Sequence, residues 1–154
     1  MKKFEFKLHK LLDIREAAEK KIKNELAVLL NMQNAVKLRQ QNFRDRIIIE
    51  RGIFGKRMRD KQIAYQDILM FERFTDSTMK AIEIAEQEIQ GMEGAILEVR
   101  DRLIEASRER KVVEKLKERK WKQYMYELNR ETGKENDDMN QKIYHIQKRK
   151  TAAT

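Results

Sequence analysis

The chain has 154 residues, of which 40% are charged, 40% hydrophobic and only 7% aromatic, with five glycines, no proline and no cysteine. Its formal net charge is +9, a surface that attracts acidic protein, nucleic acid or anionic lipid without choosing among them. Such a composition belongs to long helices, excludes disulfide and thiolate chemistry, and leaves little interior in which to desolvate a substrate.

The opening residues read MKKFEF and then KLHKLLDIR, which charges interrupt too often for the apolar core of a signal peptide. No apolar run approaches the roughly 18 residues needed to cross a bilayer. The chain reads as soluble, with no direct membrane insertion and no export by the general route.

A first helix is expected from about residue 6 to about residue 51. One heptad line holds Leu8, Arg15, Ile22, Leu29, Val36 and Phe43. The second line, Leu11, Ala18, Glu25, Met32 and Arg39, is less apolar, and Leu12, Leu26 and Ile47 lie beside it. Gly52 and Gly55 then bracket an expected break, since glycine is a poor helix-interior residue. The tip segment spans about 52–77 and carries a short helical stretch with Ile63, Tyr65, Ile68, Leu69, Met70, Phe71 and Phe74. Asp76 or Ser77 is positioned to cap a new helix.

The second long helix is expected over about 78–140, with a loose tail over about 149–154. Its signal is the strongest in the chain. Ile82, Ala85, Ile89, Met92, Ile96, Val99, Leu103 and Ala106 alternate three and four residues apart without a break. That is the a/d seam of a coiled coil, each side chain filling a hole on a facing helix. Two helices of matched length, each on the order of 75 Å long, bury both seams most simply by folding back. The expected fold is therefore all-α: a long antiparallel two-helix coiled-coil hairpin, a single domain over 1–154. Exchange of helices between two chains is the alternative.

No side-chain pattern points to catalysis. There is no phosphate-binding GxxxxGK[ST] loop, nucleophile elbow or HExxH motif. His9 and His145 stand far apart, and the run Glu135-Asn136-Asp137-Asp138 lacks the spacing of a calcium loop. The chain is read as a non-enzyme with no cofactor, no metal site and no catalytic residue.

Charge and aromatics are more informative. Lys2, Lys3, Lys7 and Lys10 oppose only Glu5 in the first ten residues. Between Ala106 and Lys122, eight basic residues face three glutamates. A hairpin would bring these stretches to one end, as a positive surface for an acidic partner or as a solvated helix face. At the other end Phe71 and Phe74 either form an exposed hot spot or cap the coiled coil by packing inward. Trp121, Tyr124 and Tyr126 either mark a departure from two-helix packing toward a partner or, as expected here, pack against Leu8, Leu11 or Leu12. The eight methionines are expected as core filler.

Three segments together resemble the flagellar FliJ family of type III export proteins. They are Phe4-x-Phe6-x-Leu8 with Leu11-Leu12-Asp13-Ile14-Arg15 and Glu19, Lys80-Ala81-Ile82 with Phe71 and Phe74, and Glu109 to Arg119. The resemblance implies an antiparallel coiled coil, similar to the stalk of rotary ATPases, that is monomeric when free. It implies insertion into the hexameric export ATPase FliI, contact with the export gate protein FlhA, and cycling of export chaperones. It also implies a peripheral location at the cytoplasmic face of the inner membrane.

On this resemblance the gate-binding residues are Phe71, Phe74, Met79 and Ala81, although Thr78 stands where the family has a leucine. The ATPase-facing residues are Phe4, Phe6, Lys7, Lys10, Arg15, Arg110, Lys111, Lys115, Lys117 and Arg119. The competing readings are a generic structural coiled coil, possibly dimeric in the helix-swapped form, and a basic binder of nucleic acid or membrane surface. Interspersed glutamates and the lack of a recognition module argue against nucleic acid.

Overall fold

The computed structural model describes residues 3–151, with side chains described for residues 3–148. Two long helices pack against each other: α1 is His9–Arg59 and α2 is Tyr65–Thr151. No strand occurs among the described residues.

The break between the helices lies over residues 60–64, not at the glycines. Helix α1 runs through Gly52 and Gly55, where a glycine costs about 1 kcal/mol relative to alanine, too little to end a packed helix. Its terminus is built by hydrogen bonds instead. Gln62 N donates to Arg57 O at 3.0 Å, and Lys61 N donates to Met58 O at 3.2 Å. With Lys61 in the left-handed region (φ 52°), this is a Schellman ending without glycine. Lys56, Arg57 and Arg59 place positive charge on the last turn, where the helix dipole favours it.

Helix α2 starts at Tyr65, so the expected separate tip helix and the new start at residue 78 are replaced by one continuous helix. The Asp67 carboxylate accepts the Ala64 N–H at 3.0 Å, closing the first turn in the manner of a capping box. Asp76 and Ser77 therefore cap nothing. The threonines around them are absorbed within the helix, Thr75 Oγ1 donating to Phe71 O and Thr78 Oγ1 to Phe74 O. Helix α2 also covers 149–151 of the expected tail, while residues 152–154 lie outside the described residues.

Contacts divide the chain into two compact units. Unit 2 is Ala18–Glu105, and unit 1 comprises Met1–Ala17 with Ala106–Thr154. In unit 2 the partner's position on α2 falls as that on α1 rises. Glu25 pairs with Arg102, Arg39 with Glu88, Phe54 with Phe71 and Arg57 with Asp67. The helices of this unit thus run in opposite directions. Its tightest packing is Val36 against Ala85 and Ile89, with Met92 beside them. Ile96, Val99 and Ile47 are also buried, and Ile82 and Leu103 half-buried.

The α2 seam falls on the residues expected. In α1 the first line is confirmed at Ile22, Leu29, Val36 and Phe43, but the second is displaced by one residue. The inward positions are Glu19, Leu26, Gln33, Gln40, Ile47 and Phe54, not Ala18, Glu25, Met32 and Arg39, which are exposed. Unit 1 continues the pattern with buried Leu12, Ala106 and Val113. Core volume is small throughout, and no large side chain among the described residues is fully buried.

Candidate partner-binding surfaces

Unit 1 holds all ten residues assigned to the ATPase-facing surface. The segment before α1 is anchored by aromatic contacts. Phe4 meets Trp121 edge-on at 5.0 Å between ring centroids and Tyr124 at 5.4 Å, and Trp121 stacks on Tyr124 at 5.7 Å. Trp121 therefore packs on Phe4, lines a groove together with Leu12, and remains 47% exposed. These pairs contribute about 0.5–1.5 kcal/mol each beyond the area they bury.

Around this cluster the basic side chains point outward. Lys7, Lys10, Lys111, Lys115 and Arg119 are exposed, and Arg15, Arg110 and Lys117 are half-buried. Arg15 is paired with Glu109, and Arg110 with Glu114 one turn along α2. Two grooves flank Phe4. One is lined by Leu12, Glu16, Glu114, Lys117, Glu118 and Trp121. The other is lined by Glu5, Phe6, Lys7, Leu8, Leu116 and Lys120. An aromatic patch rimmed by lysine and glutamate suits a helical or loop surface of mixed charge, and it offers no enclosed volume for a small substrate.

Unit 2 holds Phe71, Phe74, Met79 and Ala81. The four do not form one exposed hot spot. Phe71 stacks face to face on Phe54, with centroids 4.2 Å apart and rings 8° from parallel. The Arg46 guanidinium lies over the Phe74 ring at 5.7 Å. Both rings are half-buried in a shallow groove with Ile53 and the exposed Met70. Met79 is 56% exposed, Ala81 half-buried, and Thr78, which fills the position of the expected leucine, is buried. Phe54 escaped sequence reasoning because α1 was expected to end before it. The register read back from Arg57 and Asp67 would have found it.

Electrostatics adds one perturbed group. The Glu86 carboxyl is held below its ordinary range, first by the Gln40 amide at 2.8 Å, then by Gln90 at 3.4 Å and by the charges of Arg44 and Lys37. Gln40 also donates to Ile82 O at 3.3 Å, so the amide nitrogen of this buried side chain donates twice to α2. No cluster of metal-ligating side chains and no helix apolar enough to cross a membrane occurs among the described residues.

The family model described as flagellar FliJ protein matches residues 4–149. Among curated proteins and among solved structures no match is found.

Proposed function

The chain belongs to the flagellar FliJ family, and on that footing we propose that it is the central stalk of the export ATPase FliI. In this reading it links that hexamer to the gate protein FlhA and to export chaperones, at the cytoplasmic face of the inner membrane. The helix pairing is read as an antiparallel coiled coil, with three-four alternation of buried residues on both helices. Such an element transmits contact and torque and performs no chemistry of its own.

The observation that carries the reading is the gathering of Phe4, Phe6, Lys7, Lys10 and Arg15 with residues 110–119 in one unit. Two stretches about a hundred residues apart in sequence become one aromatic-anchored surface rich in basic residues, which would suit an acidic or mixed-charge lining of the partner's pore. The candidate gate-binding residues fall in the other unit, which leaves each partner its own surface.

Co-sedimentation with the purified hexamer tests this. Lys111→Glu with Lys115→Glu, both exposed, should abolish binding to the ATPase while circular dichroism stays unchanged. Retention of binding by that variant at physiological salt counts against the assignment of this surface.

A further inference from the structure

The segment before α1 is the one part of unit 1 that follows neither helix. Residues 3–6 are not helical, and Lys7 and Leu8 form the turn into α1. Exposure alternates along it. Lys3, Glu5 and Lys7 face solvent while Phe4 and Phe6 are half-buried, the two-residue period of an extended chain laid on a surface. That surface is α2. Arg15 pairs with Glu109, Leu12 shares a groove with Trp121, and Phe4 reaches Tyr124, so the segment continues along α2 in the direction α1 came from. Phe6 lies in a second groove with Leu116 and Lys120. Side-chain packing alone holds it there. Among the described residues, no hydrogen bond or ion pair joins residues 3–8 to α2. Its two hydrogen bonds are local, His9 N donating to Phe6 O at 3.0 Å and Leu12 N to Leu8 O at 3.1 Å.

We propose that residues 3–6 are a strap that lifts off α2 as a unit, turning about Lys7 and Leu8, while both helices stay folded. A segment ordered by two half-buried rings and no backbone hydrogen bond to its support opens at a small fraction of the cost of unfolding the helices. Closed, the strap covers an apolar side of α2. Lifted, it bares Trp121, Tyr124 and Leu116 beside Leu12, so this end of the molecule has two alternative surfaces. A partner that takes the Trp121 face must first displace Phe4, which makes the strap a competitor built into the chain. The two rings of the Phe-x-Phe pattern are its fastening.

Trp121 is the only tryptophan, so its emission reads the strap directly. In the unmodified chain, low urea should shift that emission to longer wavelength and raise its quenching by acrylamide before circular dichroism changes. Phe4→Ala should show the shifted emission and the raised quenching without urea, at unchanged helicity and an unchanged melt. The chain has no cysteine, so Glu5→Cys with Lys120→Cys, two exposed residues of the Phe6 groove, can be bridged by a short bis-maleimide. The bridge should abolish the early phase, and the same variant left unbridged should keep it. The proposal is overturned if emission and circular dichroism change in one transition, or if Phe4→Ala is quenched like the parent. It is also overturned if the early phase survives the bridge, which would place that phase in α2 itself. No partner is needed for these readings, so failure of the strap and failure of the stalk reading are separable.

Discussion

The side-chain amide of Gln40 donates to the Glu86 carboxylate at 2.8 Å and to the Ile82 carbonyl at 3.3 Å, joining α1 to α2 through a polar side chain that is itself buried. A one-step slide of the helices would strand that amide without a partner, at a cost of about 1–3 kcal/mol. The pair thus fixes register in unit 2, as polar seam residues do elsewhere.

Glu86 makes this lock sensitive to acid. Its folded pKa lies below its unfolded value, chiefly through the Gln40 hydrogen bond, with Gln90, Arg44 and Lys37 assisting against desolvation. The stabilisation is fully present above the ordinary glutamate range and is lost as pH falls through the lower folded value. Glu86→Gln should therefore be less stable than the parent near neutral pH, and the difference should shrink on acidification. Urea midpoints across the acid range check this, and a gap that does not close with pH contradicts it.

The seam of α2 carries a sharper prediction. Ile89 is 6% exposed and packs on Val36, whereas Leu97 on the same helix is 57% exposed. Ile89→Asp should lose several kcal/mol through an unpaired buried charge, and Leu97→Asp should change stability little. Thermal melts followed by circular dichroism distinguish the two.

Much of this seam was legible in the sequence and the corresponding line of α1 was not. From Ile82 to Ala106 every a and d position of α2 is apolar, so periodicity alone located it. In α1 the true second line includes Glu19, Gln33 and Gln40, all buried, and a search for apolar residues drifted one place to Ala18 and Met32. The turn escaped for a related reason. Glycine usually marks a helix end, but here Lys61 takes the left-handed position and the five glycines lie within helices. Juxtaposition of the two basic stretches in unit 1 followed from antiparallel order. The partners of Phe71 and Phe74 did not, because they depend on the turn.

The relocated turn makes two substitutions informative together. Lys61→Gly should stabilise by roughly 0.5–1 kcal/mol, because glycine adopts this φ without steric cost. Gly52→Ala should also stabilise, by about 1 kcal/mol, since an added Cβ there meets nothing within 4 Å and the residue is mid-helix. Were the break at Gly52 instead, both signs would change. Denaturant midpoints of the two variants decide between the arrangements.

Stacking of Phe71 on Phe54 separates structure from recognition in unit 2. Phe71→Ala should lower stability by about 1–3 kcal/mol, the loss of a half-buried ring and its aromatic partner. Met79→Ala removes an exposed side chain and should leave the melt unchanged while weakening gate binding. If both variants melt like the parent, the inward packing of Phe71 is wrong. If Met79→Ala binds the gate protein at full strength, Met79 is not part of that surface.

The most direct test of the stalk reading is the hydrolysis rate of the cognate export ATPase as the purified chain is added. The account predicts saturable stimulation with a plateau near one chain per hexamer, lost in Lys111→Glu with Lys115→Glu. No stimulation at any ratio, by a chain whose helicity is intact, would contradict it.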